Sequence, residues 1–177
     1  IQSDNVLLTR AQTLFPTLES HYRPAIIIIA CNSASTLILD EVRAITQTPV
    51  IGVVPAIKPA ADITKTGNIG LLATKGTIGR QYTQDLITEF APHHEVTKIG
   101  SDILVSQAEC KLYGETINRS LIERELGPIL NNSEIDTVIL GCTHFPMIKQ
   151  EIRNIVGNNI HLIDSGEAIA RRAIHIL

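Results

Sequence analysis

The chain has 177 residues, a hydrophobic content of 44%, a charged content of 19% and a net charge of −3. This composition predicts one or two packed domains and excludes a disordered chain. The small negative charge, without a dense basic cluster, excludes a typical nucleic-acid-binding surface. No apolar run is long enough to cross a bilayer, so no membrane partner is expected. Three widely spaced cysteines predict free thiols in a reducing, cytoplasmic compartment.

The first half of the chain alternates helical and strand patterns. Asp4 can cap a helix that is expected to run to about Phe15, where Pro16 disturbs it or ends it. The elements expected next are a buried strand at 25–30, a helix at 33–45, a short strand at 49–54, a linker or short helix after 55, and a buried strand at 68–73.

The second half continues the same alternation. The expected elements are a turn at 74–77, a helix at 77–90, a strand at 95–99, an interrupted helical region at 106–126, a strand at 136–140, a helix at 147–156, a strand at 160–163 and a last helix after 166. Because these intervals are typical of βαβ units, we predict an α/β fold with largely parallel sheets.

Cys31 and Cys142 occupy the same local pattern. Each follows a short buried strand and a small residue, and each precedes small polar residues and a helical pattern. In open α/β sheets, ligands bind outside the carboxyl ends of the strands. Two thiols on either side of one α-carbon can invert it, because one removes the proton as thiolate while the other donates a proton. The pair therefore predicts racemisation of a small acid by two bases.

Polar neighbours of the two cysteines support that hypothesis. Asn32, Ser33 and Thr143, together with the free N–H groups of each first helical turn, can hold a carboxylate. His144 lies two residues after Cys142 and is a candidate to move protons on and off its sulfur.

No metal or cofactor is predicted. The chain has no C-x-x-C pair, which argues against zinc, and residues 74–77 (TKGT) lack the spacing of a nucleotide-binding P-loop. Cys110 lies inside a helical pattern, so we interpret it as a packing residue.

Two segments resemble the signatures of a known enzyme family. Residues 30–35 (ACNSAS) and 140–146 (LGCTHFP) are similar to the two signature segments of the cofactor-independent aspartate/glutamate racemase family. Residues 52–60, 70–77 and 108–115 resemble its glutamate-specific members, the last in their proteobacterial form. The resemblance covers essentially the whole chain. It implies interconversion of L- and D-glutamate, supplying D-glutamate for peptidoglycan, with no metal, pyridoxal phosphate or nucleotide.

The resemblance also implies roles for particular residues. Cys31 would act on the α-proton of D-glutamate and Cys142 on that of L-glutamate, with His144 and Glu109 assisting Cys142. The positions implied to bind substrate are Asn32, Ser33, Thr74, Thr77 and Thr143.

The family's fold implies two similar α/β lobes with the active site in the cleft between them. The chain would form lobe one from residues 1–56 with 164–177, and lobe two from residues 57–163. The family begins with an Asp-Ser-Gly segment whose aspartate assists the first cysteine, and no such segment precedes Cys31. We therefore expect a fragment that turns over little or not at all by itself.

The resemblance further implies glutamate as the substrate, UDP-N-acetylmuramoyl-L-alanine as an activator, and a homodimer. Three alternatives stay open at this point. They are a racemase of the same family acting on aspartate, a non-catalytic protein that binds an acidic ligand, and a redox protein pairing Cys31 with Cys142.

Overall fold

The computed structural model describes residues 3–177. Contacts divide the chain into two compact units, one formed by the residues up to Val54 together with Ser165–Leu177, and the other by Pro55–Asp164. The expected lobes, 1–56 with 164–177 and 57–163, stay a prediction. Within residues 3–177, no helix has the length and apolar character needed to span a membrane.

Helices and strands alternate along the chain, as the periodicity predicts. In chain order they are α1 (Asp4–Tyr22), β1 (Ile27–Ile29), α2 (Asn32–Ile45), β2 (Val50–Gly52), α3 (Ile57–Ile63), β3 (Asn68–Ala73), α4 (Lys75–Ile78), α5 (Gln81–Phe90), β4 (Glu95–Gly100), α6 (Ile103–Leu112), α7 (Arg119–Glu125), α8 (Gly127–Leu130), β5 (Thr137–Leu140), a 3₁₀ turn (Phe145–Ile148), α9 (Lys149–Val156), β6 (His161–Ile163) and α10 (Gly166–Ile176).

In the first unit, β1 and β2 form a parallel two-stranded sheet. Ser35 of α2 is fully buried and links the end of β1 to the residue after β2, because its Oγ donates to the Ile29 carbonyl oxygen and accepts from the Val53 N–H, each at 3.0 Å. Helix α2 buries Leu39 and Val42. The sheet and the start of α2 are therefore held together by a buried hydroxyl as well as by apolar packing.

The expected end of α1 at Pro16 is wrong. The helix continues through Pro16, although an interior proline removes a backbone hydrogen bond and costs about 3 kcal/mol or more. Phe15 is buried, and α1 packs against α2. The Glu19 carboxylate accepts hydrogen bonds from the N–H groups of Gln47 (2.7 Å) and Thr48 (2.6 Å). These tertiary contacts favour helix on the far side of the proline.

The second unit is built on a four-stranded sheet in the order β4-β3-β5-β6, in which every pair is parallel. The central strands β3 and β5 are almost entirely buried, which explains their unbroken apolar sequences. The edge strand β4 is largely solvent-accessible. The predicted α/β fold with parallel sheets flanked by helices is confirmed. The stretch after Pro55, expected to be a linker or short helix, forms α3.

A carboxylate at the start of β5 closes the loop that leads into β3. The Asp136 carboxylate accepts hydrogen bonds from Thr64 Oγ1 (2.6 Å) and from the N–H groups of Lys65 (2.7 Å) and Thr66 (3.1 Å). Burial opposes ionisation, but these donors together lower the pKa of Asp136 from 3.8 to about 2. The ionised form of this side chain therefore stabilises the folded second unit.

Candidate active site

Cys142 lies directly after the carboxyl end of β5, as its sequence pattern predicts. The preceding Gly141 continues the sheet, since its N–H donates to the Leu72 carbonyl oxygen at 2.7 Å. A Cβ at position 141 would lie 3.1 Å from both Leu71 Cδ1 and the Leu72 oxygen. Only glycine fits this close approach without displacement of the neighbours. The small residue before the cysteine therefore allows the thiol to lie at the carboxyl end of β5.

A chain of contacts links the Cys142 thiol to a carboxylate. The sulfur of Cys142 is 3.8 Å from His144 Nδ1, and His144 Nε2 is 3.4 Å from Glu109 Oε1 on α6. A carboxylate only accepts hydrogen bonds, so in the neutral ring it favours the proton on Nε2. The lone pair of Nδ1 then faces the thiol. The structure thus brings Cys142, His144 and Glu109 together in the order needed for proton transfer at sulfur.

Two threonines follow the neighbouring strand of the same sheet. Thr74 comes after β3, and its Oγ1 lies 3.0 Å from Thr77 Oγ1 and accepts from the Thr77 N–H at 3.2 Å. Both side chains are buried. Because β3 and β5 pair in parallel register, this turn and the Cys142 loop leave the same edge of the sheet. Thr143 of that loop is exposed.

Cys31 lies in the first unit at the junction of β1 and α2. It is the N-cap residue of α2, has an extended backbone with φ −151°, and has an exposed side chain. Asn32 is 3% exposed, and within residues 3–177 its Nδ2 has no hydrogen-bond partner. Ser33 follows in the first turn and is half-buried. A buried amide donor is costly unless water or a ligand satisfies it, so the Asn32 Nδ2 at this helix start is available to donate a hydrogen bond.

Cys110 has neither the position nor the environment of the other two cysteines. It lies within α6, where desolvation and the neighbouring Glu115 raise the pKa of its thiol. A raised pKa disfavours the reactive thiolate, which supports the interpretation of Cys110 as a packing residue. Among the described residues, no cluster of three or more His, Cys, Asp or Glu side chains is arranged to hold a metal ion.

Two residues of the signature segments have structural roles that the sequence does not indicate. The Ser35 hydroxyl links β1 to Val53, which directly follows β2. Phe145 follows His144 and is fully buried. A hydrophobic residue directly after a polar loop was the available signal for Phe145. No local signal identifies the strands that a buried serine joins.

Comparison with known proteins agrees with this arrangement. Residues 3–173 match the family described as Asp/Glu/Hydantoin racemase, and the chain belongs to that family. The chain is 53% identical over 152 residues to the glutamate racemase of Shewanella halifaxensis, covering 86% of this chain and 57% of the relative. It is 48% identical over 173 residues to the glutamate racemase of Vibrio campbellii, covering 98% and 63% of the two chains.

A solved structure shows the same similarity. The crystal structure of Escherichia coli glutamate racemase in complex with L-glutamate and the activator UDP-MurNAc-ala is 42% identical to this chain, with a TM-score of 0.91. The match covers 99% of this chain and 66% of that one. The chain therefore spans about three fifths of the length of the curated relatives it matches, 57% and 63% in the two cases above.

Proposed function

We propose that this chain carries the two catalytic cysteines of a glutamate racemase, an isomerase that interconverts L- and D-glutamate without a cofactor. One observation carries the proposal, namely the 3.8 Å approach of Cys142 Sγ to His144 Nδ1, with Glu109 behind the ring. A buried structural cysteine needs no histidine and carboxylate in this order. The identity of 53% to a curated glutamate racemase supports glutamate, rather than aspartate, as the substrate.

The contacts in the second unit define how Cys142 would act. His144 Nδ1 takes the proton of the thiol, and Glu109 stabilises the resulting imidazolium. The thiolate then removes the α-proton of L-glutamate, which leaves the electron pair of the broken C–H bond on the α-carbon. In the reverse direction, the Cys142 thiol donates its proton to that carbon, and His144 restores the proton to the sulfur.

Inversion requires a second thiol on the opposite face of the α-carbon. We assign that role to Cys31, which acts on the α-proton of D-glutamate and donates a proton when L-glutamate is the reactant. Its place as the N-cap residue of α2, just after β1, supports this role, since it matches the position of Cys142 after β5. When the direction of the reaction reverses, the two cysteines exchange the roles of thiolate base and thiol acid. Together they supply both proton transfers, so the enzyme needs no metal and no pyridoxal phosphate.

The polar residues around the cysteines would bind the charged groups of glutamate. Asn32 supports this assignment best, because its Nδ2 is buried and lacks a partner among residues 3–177. The full set proposed to contact the substrate is Asn32, Ser33, Thr74, Thr77 and Thr143. Their hydroxyl and amide groups can donate to carboxylates, and their oxygens can accept from the ammonium group.

The biological setting follows from this reaction. D-glutamate made by the enzyme would enter peptidoglycan and so contribute to the cell wall and cell shape. We propose a cytoplasmic site of action, which is consistent with three free cysteines. The E. coli relative was crystallised with the activator UDP-MurNAc-ala, and we extend activation by UDP-N-acetylmuramoyl-L-alanine to this protein. A homodimer stays a prediction, which sedimentation velocity would test.

A chimaeric enzyme tests the function. Residues 3–173 replace the matching segment of the Vibrio campbellii relative, so that the parts of the relative outside the match are retained. The chimaera should racemise L-glutamate and should allow a strain without its own glutamate racemase to grow without D-glutamate. Changing Cys142→Ser should abolish both effects, while Cys110→Ser should leave them unchanged.

The results also separate the alternatives. If a folded chimaera racemises aspartate faster than glutamate, the assignment of glutamate as the substrate is wrong. A chimaera that binds glutamate but does not exchange its α-hydrogen in D₂O would favour a non-catalytic binding protein. A disulfide between Cys31 and Cys142 in air-exposed protein would favour the redox alternative.

A further inference from the structure

We propose that Phe145 is a positioning residue for the proton transfer at Cys142, because its buried ring holds His144 within reach of Glu109. This inference rests on the proposed function, since it assigns a purpose to the His144–Glu109 contact. In this role Phe145 would act through the ring of its neighbour His144 and not on the substrate itself.

The backbone around Phe145 restrains the reactive loop. The Phe145 N–H donates to the Cys142 carbonyl oxygen at 3.0 Å, and the Met147 N–H donates to the His144 carbonyl oxygen at 3.0 Å. These bonds form the short 3₁₀ turn that begins at Phe145. Cys142 and His144 are thereby kept on the same tight bend, but the bend itself still needs an anchor.

The side chain of Phe145 supplies that anchor. It is fully buried and belongs to the same apolar cluster as Leu104 and Ala108 of α6. Helix α6 packs against the 3₁₀ turn. Ala108 precedes Glu109 in sequence, and Phe145 follows His144. One buried ring therefore lies in the packing between the two elements that carry the partners.

The contact between His144 and Glu109 is too weak to set this geometry alone. The His144 side chain is 34% exposed and that of Glu109 is 52% exposed. An ion pair at such exposure contributes little, because water screens it and both side chains lose freedom when they are held together. Truncation of a fully buried phenylalanine ring is far more costly, so the packing dominates the position of the turn.

A second tether of α6 provides the competing explanation. Lys111 Nζ lies 2.8 Å and 3.0 Å from the two carboxylate oxygens of Glu151 on α9, and this pair also fixes the end of α6 that carries Glu109. The Lys111 side chain is 40% exposed, so we expect the pair to be the weaker restraint. Lys111→Met therefore serves as a comparison variant that removes the tether without changing the core.

The test measures the tautomer of His144 by ¹⁵N NMR of the ring nitrogens in the 177-residue chain at alkaline pH. His144→Gln identifies the signals of this residue. Wild-type protein should show mainly the Nε2-protonated form. In Phe145→Leu, the difference between the two nitrogen shifts should fall by about half, because the ring samples both tautomers once the turn loosens.

Matched variants separate positioning from general loss of stability. Ile129→Val removes a methylene from the same cluster at α8, beside Gly70 and Val138 and outside the Cys142 loop, and should leave the tautomer unchanged. Phe145→Met replaces Phe145→Leu if the latter does not keep the wild-type circular dichroism spectrum. Unchanged nitrogen shifts in a folded Phe145 variant would overturn the inference, as would an equal loss in Ile129→Val or a larger loss in Lys111→Met.

Glu109→Ala, which removes the acceptor, distinguishes failure of this inference from failure of the proposed function. If Glu109→Ala shifts the tautomer and Phe145→Leu does not, the carboxylate fixes the ring without help from Phe145. If Glu109→Ala has no effect in folded protein, the proposed proton path is itself wrong.

Discussion

Replacing Asp136 by asparagine should destabilise the second unit by an amount that depends on pH. The carboxylate accepts three hydrogen bonds from residues 64–66, and its pKa falls from 3.8 to about 2 on folding. That difference corresponds to about 2 kcal/mol at neutral pH. The pKa is lower in the folded state, so the stabilisation is complete above 3.8 and is lost as the pH falls towards 2.

Urea unfolding followed by circular dichroism measures this effect. Asp136→Asn mimics the protonated side chain, so it should lower the free energy of unfolding by about 2 kcal/mol at pH 7. At pH 3 the wild-type carboxylate is partly protonated and retains only about half of its contribution, so the difference in free energy of unfolding between the two proteins should fall by nearly half. The m-value should not change, because the variant exposes no additional surface.

Glu134→Gln is the matched control, since Glu134 is an exposed carboxylate two residues earlier in the same loop. Its effect should stay within about 0.5 kcal/mol at both pH values. The reasoning is refuted if Asp136→Asn costs the same at pH 7 and pH 3, because its effect would then not depend on the charge that the hydrogen bonds stabilise.

Three further outcomes are expected. Ser35→Ala removes the hydroxyl that links β1 to Val53, and urea unfolding should show a loss of about 0.5–1.5 kcal/mol in the free energy of unfolding, because the Val53 N–H loses one of its two acceptors and keeps the Ile29 carbonyl oxygen at 3.2 Å. Gly141→Ala should lower the free energy of unfolding by about 1–3 kcal/mol and slow alkylation of Cys142. Gly127→Ala is the control, because no atom lies within 4 Å of the added Cβ, and it should be neutral or slightly stabilising in the same assays. Glu19→Gln should destabilise the first unit at pH 7 but not at a pH well below 4.5, because hydrogen bonds from Thr48 and Gln47 lower the pKa of Glu19 on folding. An equal loss of thermal stability at both pH values in thermal melts would contradict this prediction.

The chemistry of the second unit was only partly predictable from the sequence. The strand pattern before Cys142 placed the thiol at a strand end, and the spacing of two residues made His144 its candidate partner. Glu109 lies 33 positions before Cys142, on a different helix, and nothing local joins the two. Its role came from a family resemblance, and the 3.4 Å contact with His144 is visible only in the folded chain.

Packing between elements explains the prediction that was wrong. Proline ends helices in most local contexts, so Pro16 was a reasonable stop signal for α1. The local rule did not include the burial of Phe15 or the hydrogen bonds from Thr48 to Glu19, which form only when α1 lies against a later part of the chain. Those contacts favour the helical conformation of the segment that follows Pro16.

The sequence by itself determined the alternation of strands and helices, the parallel sheets and the positions of Cys31 and Cys142 just after strands. These features depend on the periodicity of the side chains and on the identity of the residues that directly follow a strand. Both are local properties that extend over only a few residues of sequence. Only the tertiary structure decided which distant groups meet, including Asp136 with the loop before β3, Glu109 with His144, and Phe145 with α6. Such contacts depend on the order of strands in the sheet and on which helix covers them, and no local pattern encodes either property.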